Sequence, residues 1–221
     1  MKDFFLGLKN NTLAKDYALT PIVREFNEPP INKQEVFRYA GVPVAAIKHD
    51  ESVLDDKAIA DLIKLSNGQL SYKVSYVCAP ITWDEDGFPV LPINQHSEKL
   101  KTNLEGCKGV IIFACTIGSG IDRLIRRYER VEPSKGLMFQ GFGAERVESL
   151  ADTFNWMVKE EAKEAGLLTN PRFSPGFGDL PLTVQPELLK LVDAERKLGI
   201  TLNASYLMAP SKSVTAIIGI K

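Results

Sequence analysis

The sequence has few of the residues that build the common reactive and metal sites. Its 221 residues include three cysteines and two histidines. Cys78, Cys107 and Cys115 form no CxxC pair, which favours a reducing compartment and argues against a disulfide framework or a structural zinc site. His49 and His96 lie in different segments without a partner at metal-ligand spacing. We therefore expect both histidines to be surface residues rather than metal ligands.

Signatures of several functional classes are also missing. There is no GxSxG nucleophile motif, and Cys115 lies in an apolar run typical of a packed, inert thiol. The longest apolar run, residues 110–117, is too short to cross a bilayer, and the first residues lack a secretory signal. The net charge of −1 does not indicate the excess of basic residues that is typical of nucleic-acid-binding proteins. The sequence predicts a cytoplasmic protein without a membrane or nucleic-acid partner and without a conventional catalytic constellation.

What is present is a mixture of helical and strand patterns. We predict a weakly structured N-terminal arm over residues 1–30, followed by one α+β domain over residues 31–221. This domain should contain a twisted, mostly antiparallel sheet with flanking helices. The first predicted helix follows the cap Asn32, and further helices are predicted over residues 55–65, 97–104, 135–165 and 186–199. Apolar spacing predicts two core-facing sets: Ile59, Leu62 and Ile63 on the helix over 55–65, and Val147, Leu150, Ala151, Phe154, Val158 and Ala162 on the helix over 135–165.

The strand predictions rest on alternation and on apolar runs. Residues 70–78 alternate apolar and polar side chains, as in a half-buried strand, and are predicted to form a hairpin with residues 88–93. The acidic turn at residues 84–87 is predicted to be a solvated hairpin tip. Residues 109–117 form an apolar run typical of a strand buried on both faces. Residues 200–208 and 214–220 are predicted to form a terminal hairpin.

Two segments could line a ligand. Residues 118–120, Gly-Ser-Gly, lie between a strand and a helix and suit either a tight turn or an anion-lining turn. Residues 170–181 combine prolines, glycines and Arg172 between two helices, a composition that lets backbone approach a ligand at low entropic cost. The alternative is an ordinary connection with Arg172 in a structural ion pair. On the preceding helix, Glu148, Asp152 and Asn155 form a polar row, usually a solvated face.

In the last third of the chain, Arg172, Pro175, Gly176 and Phe177 are followed by Pro181, a predicted helix and the segment of residues 205–214. This series resembles the activation (reactivation) domain of cobalamin-dependent methionine synthase. That family has an Arg-x-x-Pro-Gly-Tyr loop, a downstream proline, a helix and a Ser-aromatic-x-Met-x-Pro-x-x-Ser-Val segment. The long helix before the loop is also similar, over residues 150–154. The matching positions are Arg172, Pro175, Gly176, Phe177 in place of tyrosine, Pro181, Ser205, Tyr206, Met208, Pro210, Ser213 and Val214.

The resemblance implies a site for S-adenosylmethionine. It places the methionine carboxylate on Arg172, adenosine contacts on the backbone of Ser174 and Gly176, and Phe177 beside the ligand. It gives Asp152 the place of an acidic residue that meets the amino group. A guanidinium fork suits a carboxylate, and a carboxylate suits an ammonium.

The resemblance also implies a reaction and its partners. The expected function is reductive methylation of cob(II)alamin to methylcobalamin, with cobalamin carried by a methionine synthase polypeptide and an electron from a flavodoxin- or ferredoxin-like donor. The chain would act as a free-standing component of that methyltransferase by positioning the methyl donor. Two alternatives stay open: a non-catalytic module that binds or assembles a corrinoid protein, and a methyltransferase component for another corrinoid protein.

Overall fold

The central feature of the fold is a sheet with helices on both of its faces. In the computed structural model, which describes residues 1–13, 18–49 and 54–221, this sheet has the strand order β1-β2-β5-β8 and is antiparallel throughout. The predicted α+β class with an antiparallel sheet and flanking helices is confirmed. The sheet strands are β1 (Ile22–Phe26), β2 (Tyr72–Pro80), β5 (Gly109–Thr116) and β8 (Ser213–Ile220).

The remaining elements flank this sheet or connect its strands. Two short ribbons are formed by β3 (Thr82–Trp83) with β4 (Pro89–Val90), and by β6 (Thr201–Leu202) with β7 (Met208–Ala209). A 3-10 turn covers Leu182–Val184. The helices are α1 (Lys2–Asn10), α2 (Lys33–Tyr39), α3 (Val44–His49), α4 (Asp56–Ser66), α5 (Glu98–Leu104), α6 (Gly120–Val131), α7 (Pro133–Glu164), α8 (Gln185–Leu191) and α9 (Ala194–Leu198).

Each face of the sheet has its own apolar core. On one face, alternate residues of the strands pack against α1, α2, α4, α6 and α7. On the other face, the intervening residues pack against α5, α8 and α9. The strand β5 is buried at every position because both faces are covered, as its apolar run predicted. Within the described ranges, no helix combines the length and apolarity that a bilayer crossing requires.

Several sequence predictions for individual elements are confirmed. Asn32 caps α2 and accepts a hydrogen bond from the backbone N–H of Glu35. Ser97 caps α5 in the same way, accepting from Leu100. The helix α7 covers the predicted long helix, and its predicted core stripe is fully buried: Val147, Leu150, Ala151, Phe154, Val158 and Ala162. The acidic turn at residues 84–87 is exposed at the tip of the β3–β4 ribbon.

The prediction of a weakly structured segment over residues 1–30 is wrong for its described part. The helix α1 buries Phe4, Phe5 and Leu8 in the larger core, and β1 pairs along its whole length with β2. The chain at Pro29 and Pro30 is also held, because buried Arg146 donates to both of their carbonyls. The domain boundary at residue 30 stays a prediction.

Four further predictions are corrected. The strand β2 is not half-buried and does not pair with residues 88–93, because β1 and β5 flank it and helices cover both of its faces. Residues 200–208 do not pair with β8; they form the β6–β7 ribbon. The helix predicted over 186–199 is broken at Asp193, which has a left-handed φ of 52°. Ile63, predicted to face the core, is 40% exposed.

The helices α2 and α7 cross closely at Gly141. A Cβ atom at this position would lie 2.4 Å from the carbonyl oxygen of Val36 and 2.6 Å from the backbone nitrogen of Ala40. Only glycine allows the two backbones to approach this far without a shift. Four residues later, Glu145 accepts a hydrogen bond from the backbone N–H of Asn32 at 2.8 Å. The helix α7 is therefore held in position along its first half.

We predict that Phe5→Ala lowers the free energy of unfolding by about 3–5 kcal/mol, because Phe5 is fully buried in the core. The control is Leu6→Ala on the same helix, where the side chain is 49% exposed and a change within about 0.5 kcal/mol is expected. Urea denaturation of both variants measures the difference. Equal stability of the two variants would mean that α1 does not contribute to the core.

Candidate functional site

The loop of residues 170–181 runs along the outer edge of β8. The backbone N–H of Phe173 donates to the carbonyl of Ile217 at 2.8 Å, and the N–H of Ile217 donates back at 2.9 Å. Upstream, the N–H of Asn170 donates to the carbonyl of Gly219, and Leu168 exchanges two hydrogen bonds with Lys221. The entry to the loop therefore acts as an irregular additional strand of the sheet.

This pairing directs the side chain of Arg172 toward α7. Side chains of an extended chain alternate between faces, and Phe173 packs into the same core as its partner Ile217. Arg172 consequently points to the opposite face, where α7 lies. Its Nη1 donates to Oδ1 of Asp152 at 2.5 Å, and its Nη2 donates to Oε2 of Glu148 at 2.6 Å. One cation is thus shared by two carboxylates.

Glu148 is the more enclosed of the two acids. Its side chain is 36% exposed, compared with 72% for Asp152. Burial raises the pKa of Glu148 above its ordinary value of 4.5, although the charge of Arg172 opposes this rise. The prediction that the polar row on α7 is a solvated face is therefore wrong at Glu148, which is partly buried and paired.

A groove of about 420 Å³ opens beside Glu148. Ligand sites of small molecules are typically clefts of about 300–1,000 Å³. Its walls come from four segments that are far apart in sequence: α7, the loop with the helix that follows it, the β6–β7 ribbon, and β8. The lining residues are Glu148, Ser174, Pro175, Phe177, Leu182, Gln185, Tyr206, Leu207, Met208, Ser211, Ser213, Val214 and Thr215.

The groove carries polar groups at its floor and apolar side chains at its mouth. Thr215 donates a hydrogen bond to Oε1 of Gln185 at 2.8 Å, and both residues are buried. At the mouth, Phe177 and Leu207 are 71% and 58% exposed. Such an arrangement offers polar groups to orient a ligand and an apolar rim to cover it.

Two side chains hold the loop and the ribbon that form the walls. Asp179 accepts from the hydroxyl of Ser97 and from the backbone N–H groups of Glu98 and Lys99, at the N-terminus of α5. These hydrogen bonds lower the pKa of Asp179, the hydroxyl of Ser97 contributing most. In the ribbon, Oδ1 of Asn203 accepts from the N–H groups of Ser205 and Leu207 at 2.9 and 3.0 Å.

The structure brings most of the predicted site residues together, although their roles stay predictions. Ser174, Phe177 and Glu148 line the groove. Arg172 lies beside the groove, where it pairs with Glu148 and also with Asp152. Gly176, at a φ of 89°, shapes the loop, and its N–H already donates to the carbonyl of Leu180. Sequence reasoning did not assign Glu148, Gln185 or Thr215 to the site. Only the polar row on α7 signalled Glu148, and nothing local marked the other two.

The other candidate segments and residues lie elsewhere. Residues 118–120 form the turn from β5 into α6, outside this groove. The side chain of His96 is exposed and stacks on Phe88, whereas that of His49 lies outside the described residues. Cys115 is buried, and burial raises its pKa to about 12. Within the described ranges, no group of three or more His, Cys, Asp or Glu residues could hold a metal ion.

Comparisons with known proteins identify the fold. No family model matches the sequence, and no curated protein matches it. A search of solved structures finds similarity to a crystal structure described as the MetH reactivation domain bound to AdoHcy. The TM-score is 0.67 at 15% sequence identity, over 96% of this chain and 85% of the other. At this identity the likeness establishes that the two chains share a fold.

We predict that Asp179→Ala loosens the loop without changing the sheet. Amide hydrogen exchange at residues 176–180 should become faster, because the substitution removes the three hydrogen bonds that the Asp179 carboxylate accepts at the N-terminus of α5. Exchange in the middle of α7 should not change. Asp86→Ala, at the exposed tip of the β3–β4 ribbon, is the control. Unchanged exchange at residues 176–180 would show that other contacts hold the loop.

We predict that Glu148→Gln is at least as stable as the wild type at neutral pH. The pKa of Glu148 is higher in the folded chain than in the unfolded chain, so its ionised form disfavours folding. This cost is present above the raised pKa and absent below 4.5, where the wild-type side chain is also neutral. Urea denaturation at several pH values should show the variant's advantage shrinking as the pH falls through this window. A variant that is less stable at pH 7 would contradict the prediction.

Proposed function

We propose that this chain binds S-adenosylmethionine in the groove beside Glu148 and supports reductive methylation of cob(II)alamin to methylcobalamin. The cobalamin is carried by a cobalamin-binding methionine synthase polypeptide, and a flavodoxin- or ferredoxin-like protein supplies one electron. The observation that carries the proposal is a groove lined by Ser174, Phe177 and Glu148, in which Glu148 is paired with Arg172 and Arg172 is paired in turn with Asp152. The fold shared with a reactivation domain that binds AdoHcy supports it.

The chemistry of the groove suits the amino-acid end of this ligand. The guanidinium of Arg172 can form two parallel hydrogen bonds with a carboxylate, and Glu148 and Asp152 can accept from an ammonium. Both acids pair with this guanidinium within the chain, so a bound amino acid would exchange partners with an existing ion-pair network. Gln185 and Thr215 lie on the floor, where a polar group of the ligand can meet them.

The exposed rim of the groove suits a protein-bound acceptor. Phe177, Leu182, Tyr206 and Leu207 all contribute apolar surface around the opening. Exposed apolar patches beside a groove often mark a surface that another molecule covers. The corrin supplies the methyl-accepting centre when the partner carries it to this rim. The chain's own contribution is to hold and orient the methyl donor, which requires no side-chain acid or base.

A second candidate is a non-catalytic module that binds or assembles a corrinoid protein. The observation in its favour is that Arg172 is already satisfied by Glu148 and Asp152 within the chain. A third candidate, a methyltransferase component for another corrinoid protein, shares the same groove chemistry. The deciding experiment mixes the chain with cob(II)alamin-loaded methionine synthase lacking its activation domain, S-adenosylmethionine and a reductant. The absorbance of methylcobalamin should appear only with the chain present.

We predict that Arg172→Ala weakens S-adenosylmethionine binding by about 1.5–3 kcal/mol, as expected when a charge-assisted hydrogen bond is lost. Isothermal titration calorimetry measures the dissociation constant. Arg196→Ala is the matched control, since Arg196 is also paired with an acid but lies on α9 and is 73% exposed at its side chain. An Arg172→Ala variant that folds and binds with unchanged affinity would return Arg172 to a purely structural ion pair.

A further inference from the structure

Gln185 is a buried side chain on the groove floor whose hydrogen-bonding capacity is only partly used. It is the first residue of α8 and is 4% exposed. Its Oε1 accepts from the hydroxyl of Thr215 at 2.8 Å, whereas its Nε2 donates to no group in the part of the chain that the structure describes. Nearly all buried polar groups in proteins have a partner. The unused amide nitrogen of Gln185 therefore indicates a partner that binds in the groove.

Thr215 controls which atoms of this amide face the groove. Its hydroxyl is buried and holds the oxygen side of the amide. The nitrogen side, with its two N–H donors, is directed away from Thr215. Gln185 therefore offers donors to the groove and requires an acceptor from a molecule that binds there.

The backbone of Thr215 is also open at this point of the sheet edge. Two residues further along β8, Ile217 exchanges both of its outward hydrogen bonds with Phe173. Alternate residues of a strand direct their N–H and C=O groups to the same side, so Thr215 directs its own to the outer edge. Among the described residues neither group has a partner. The floor thus combines the donors of Gln185 with a backbone donor and acceptor, a set that suits a neutral heterocyclic ring.

The loop has already used one of the donors that the adenosine end of the ligand would need. The resemblance places adenosine contacts on the backbone of Ser174 and Gly176, but the N–H of Gly176 donates to the carbonyl of Leu180 at 2.8 Å. The unprotonated ring nitrogens of adenine are acceptors, so they require donors that are free. Gln185 supplies such donors on the same groove.

We propose that Gln185 is a specificity-determining residue that donates to the adenine ring of the ligand, and that Thr215 positions its amide. The inference rests on the proposed function and deepens it by assigning the nucleoside end to the floor. Glu148 lies on α7, which covers the opposite face of the sheet from α8. A ligand with its amino-acid end beside Glu148 therefore crosses the edge of β8 to place its base over Gln185.

The test uses two neutral ligands that share the nucleoside. S-Adenosylhomocysteine has both ends, whereas 5′-methylthioadenosine lacks the amino acid. Ligand-observed NMR titrations, which also detect weak binding, give both dissociation constants for the wild type, Gln185→Met and Arg172→Ala. Gln69→Leu is the matched control, because this exposed glutamine donates to the carbonyl of Leu65 on α4.

We expect Gln185→Met to weaken both ligands by the same factor, about two- to tenfold, the size of one lost hydrogen bond. Arg172→Ala should weaken S-adenosylhomocysteine and leave 5′-methylthioadenosine unchanged, because only the first ligand has a carboxylate. Gln69→Leu should change neither dissociation constant.

Thr215→Val tests the positioning role. Removing the hydroxyl frees the amide of Gln185 to rotate, so this variant should weaken S-adenosylhomocysteine by a smaller factor than Gln185→Met. The double variant should bind like Gln185→Met, because Thr215 acts through Gln185; effects that multiply would contradict this. The double variant also replaces both buried partners by apolar groups, so it keeps the test valid if Gln185→Met does not fold.

Three outcomes would overturn the inference and leave the proposed function standing. Unchanged binding of both ligands in Gln185→Met would remove Gln185 from the site. Weaker binding of S-adenosylhomocysteine alone would assign Gln185 to the amino-acid end. A wild type that binds S-adenosylhomocysteine but not 5′-methylthioadenosine would mean that the floor holds no nucleoside. A wild type that binds neither ligand would refute the proposed function together with the inference.

Discussion

The pairing of Phe173 with Ile217 is the constraint on which the candidate site depends. Two backbone hydrogen bonds fix this point of the loop on the outer edge of β8. Because consecutive side chains of an extended chain point to opposite faces, seating Phe173 in one core sends Arg172 toward α7. A shift of one residue would bury the guanidinium and expose the phenyl ring. The register of the loop on β8, which the hydrogen bonds of Asn170 and Leu168 also fix upstream, therefore decides whether the site has its cation.

The helix α7 has to satisfy two demands along adjacent stripes. One stripe packs its apolar residues against the sheet, and the neighbouring stripe carries Glu148 and Asp152 at a spacing of four residues. Two like charges at this spacing repel each other, and burying one of them adds a desolvation penalty. Arg172 lowers both costs by sharing its two nitrogens between the acids. The loop and the helix therefore position each other through this shared guanidinium.

Local signals predicted much of the fold, and their failures have a common cause. The sequence predicted the helix caps, the apolar stripe of α7 and the buried run of β5, because each depends on residues that are close together in the chain. The alternation in β2 indicated a solvated face, yet Ser75 is buried because α8 and α9 form a second helical layer over it. Ser75 is tolerated there because its hydroxyl donates to the carbonyl of Val192 at 2.6 Å. A helical layer more than 100 residues away leaves no trace in a local pattern.

The site shows the same division between local and distant information. The loop of residues 170–181 could be recognised because its prolines, glycines and arginine are contiguous. Glu148 could not, since an acidic row on a helix is the usual pattern of a solvated face until Arg172 and the groove are placed against it. Gln185 and Thr215 meet only because α8 packs against β8. The contiguous loop residues give the site its shape. The ion pairs of Arg172 and the polar floor form only because α7, α8 and β8 pack around that loop. The ion-pair network and the polar floor of the groove are therefore properties of the fold rather than of any motif.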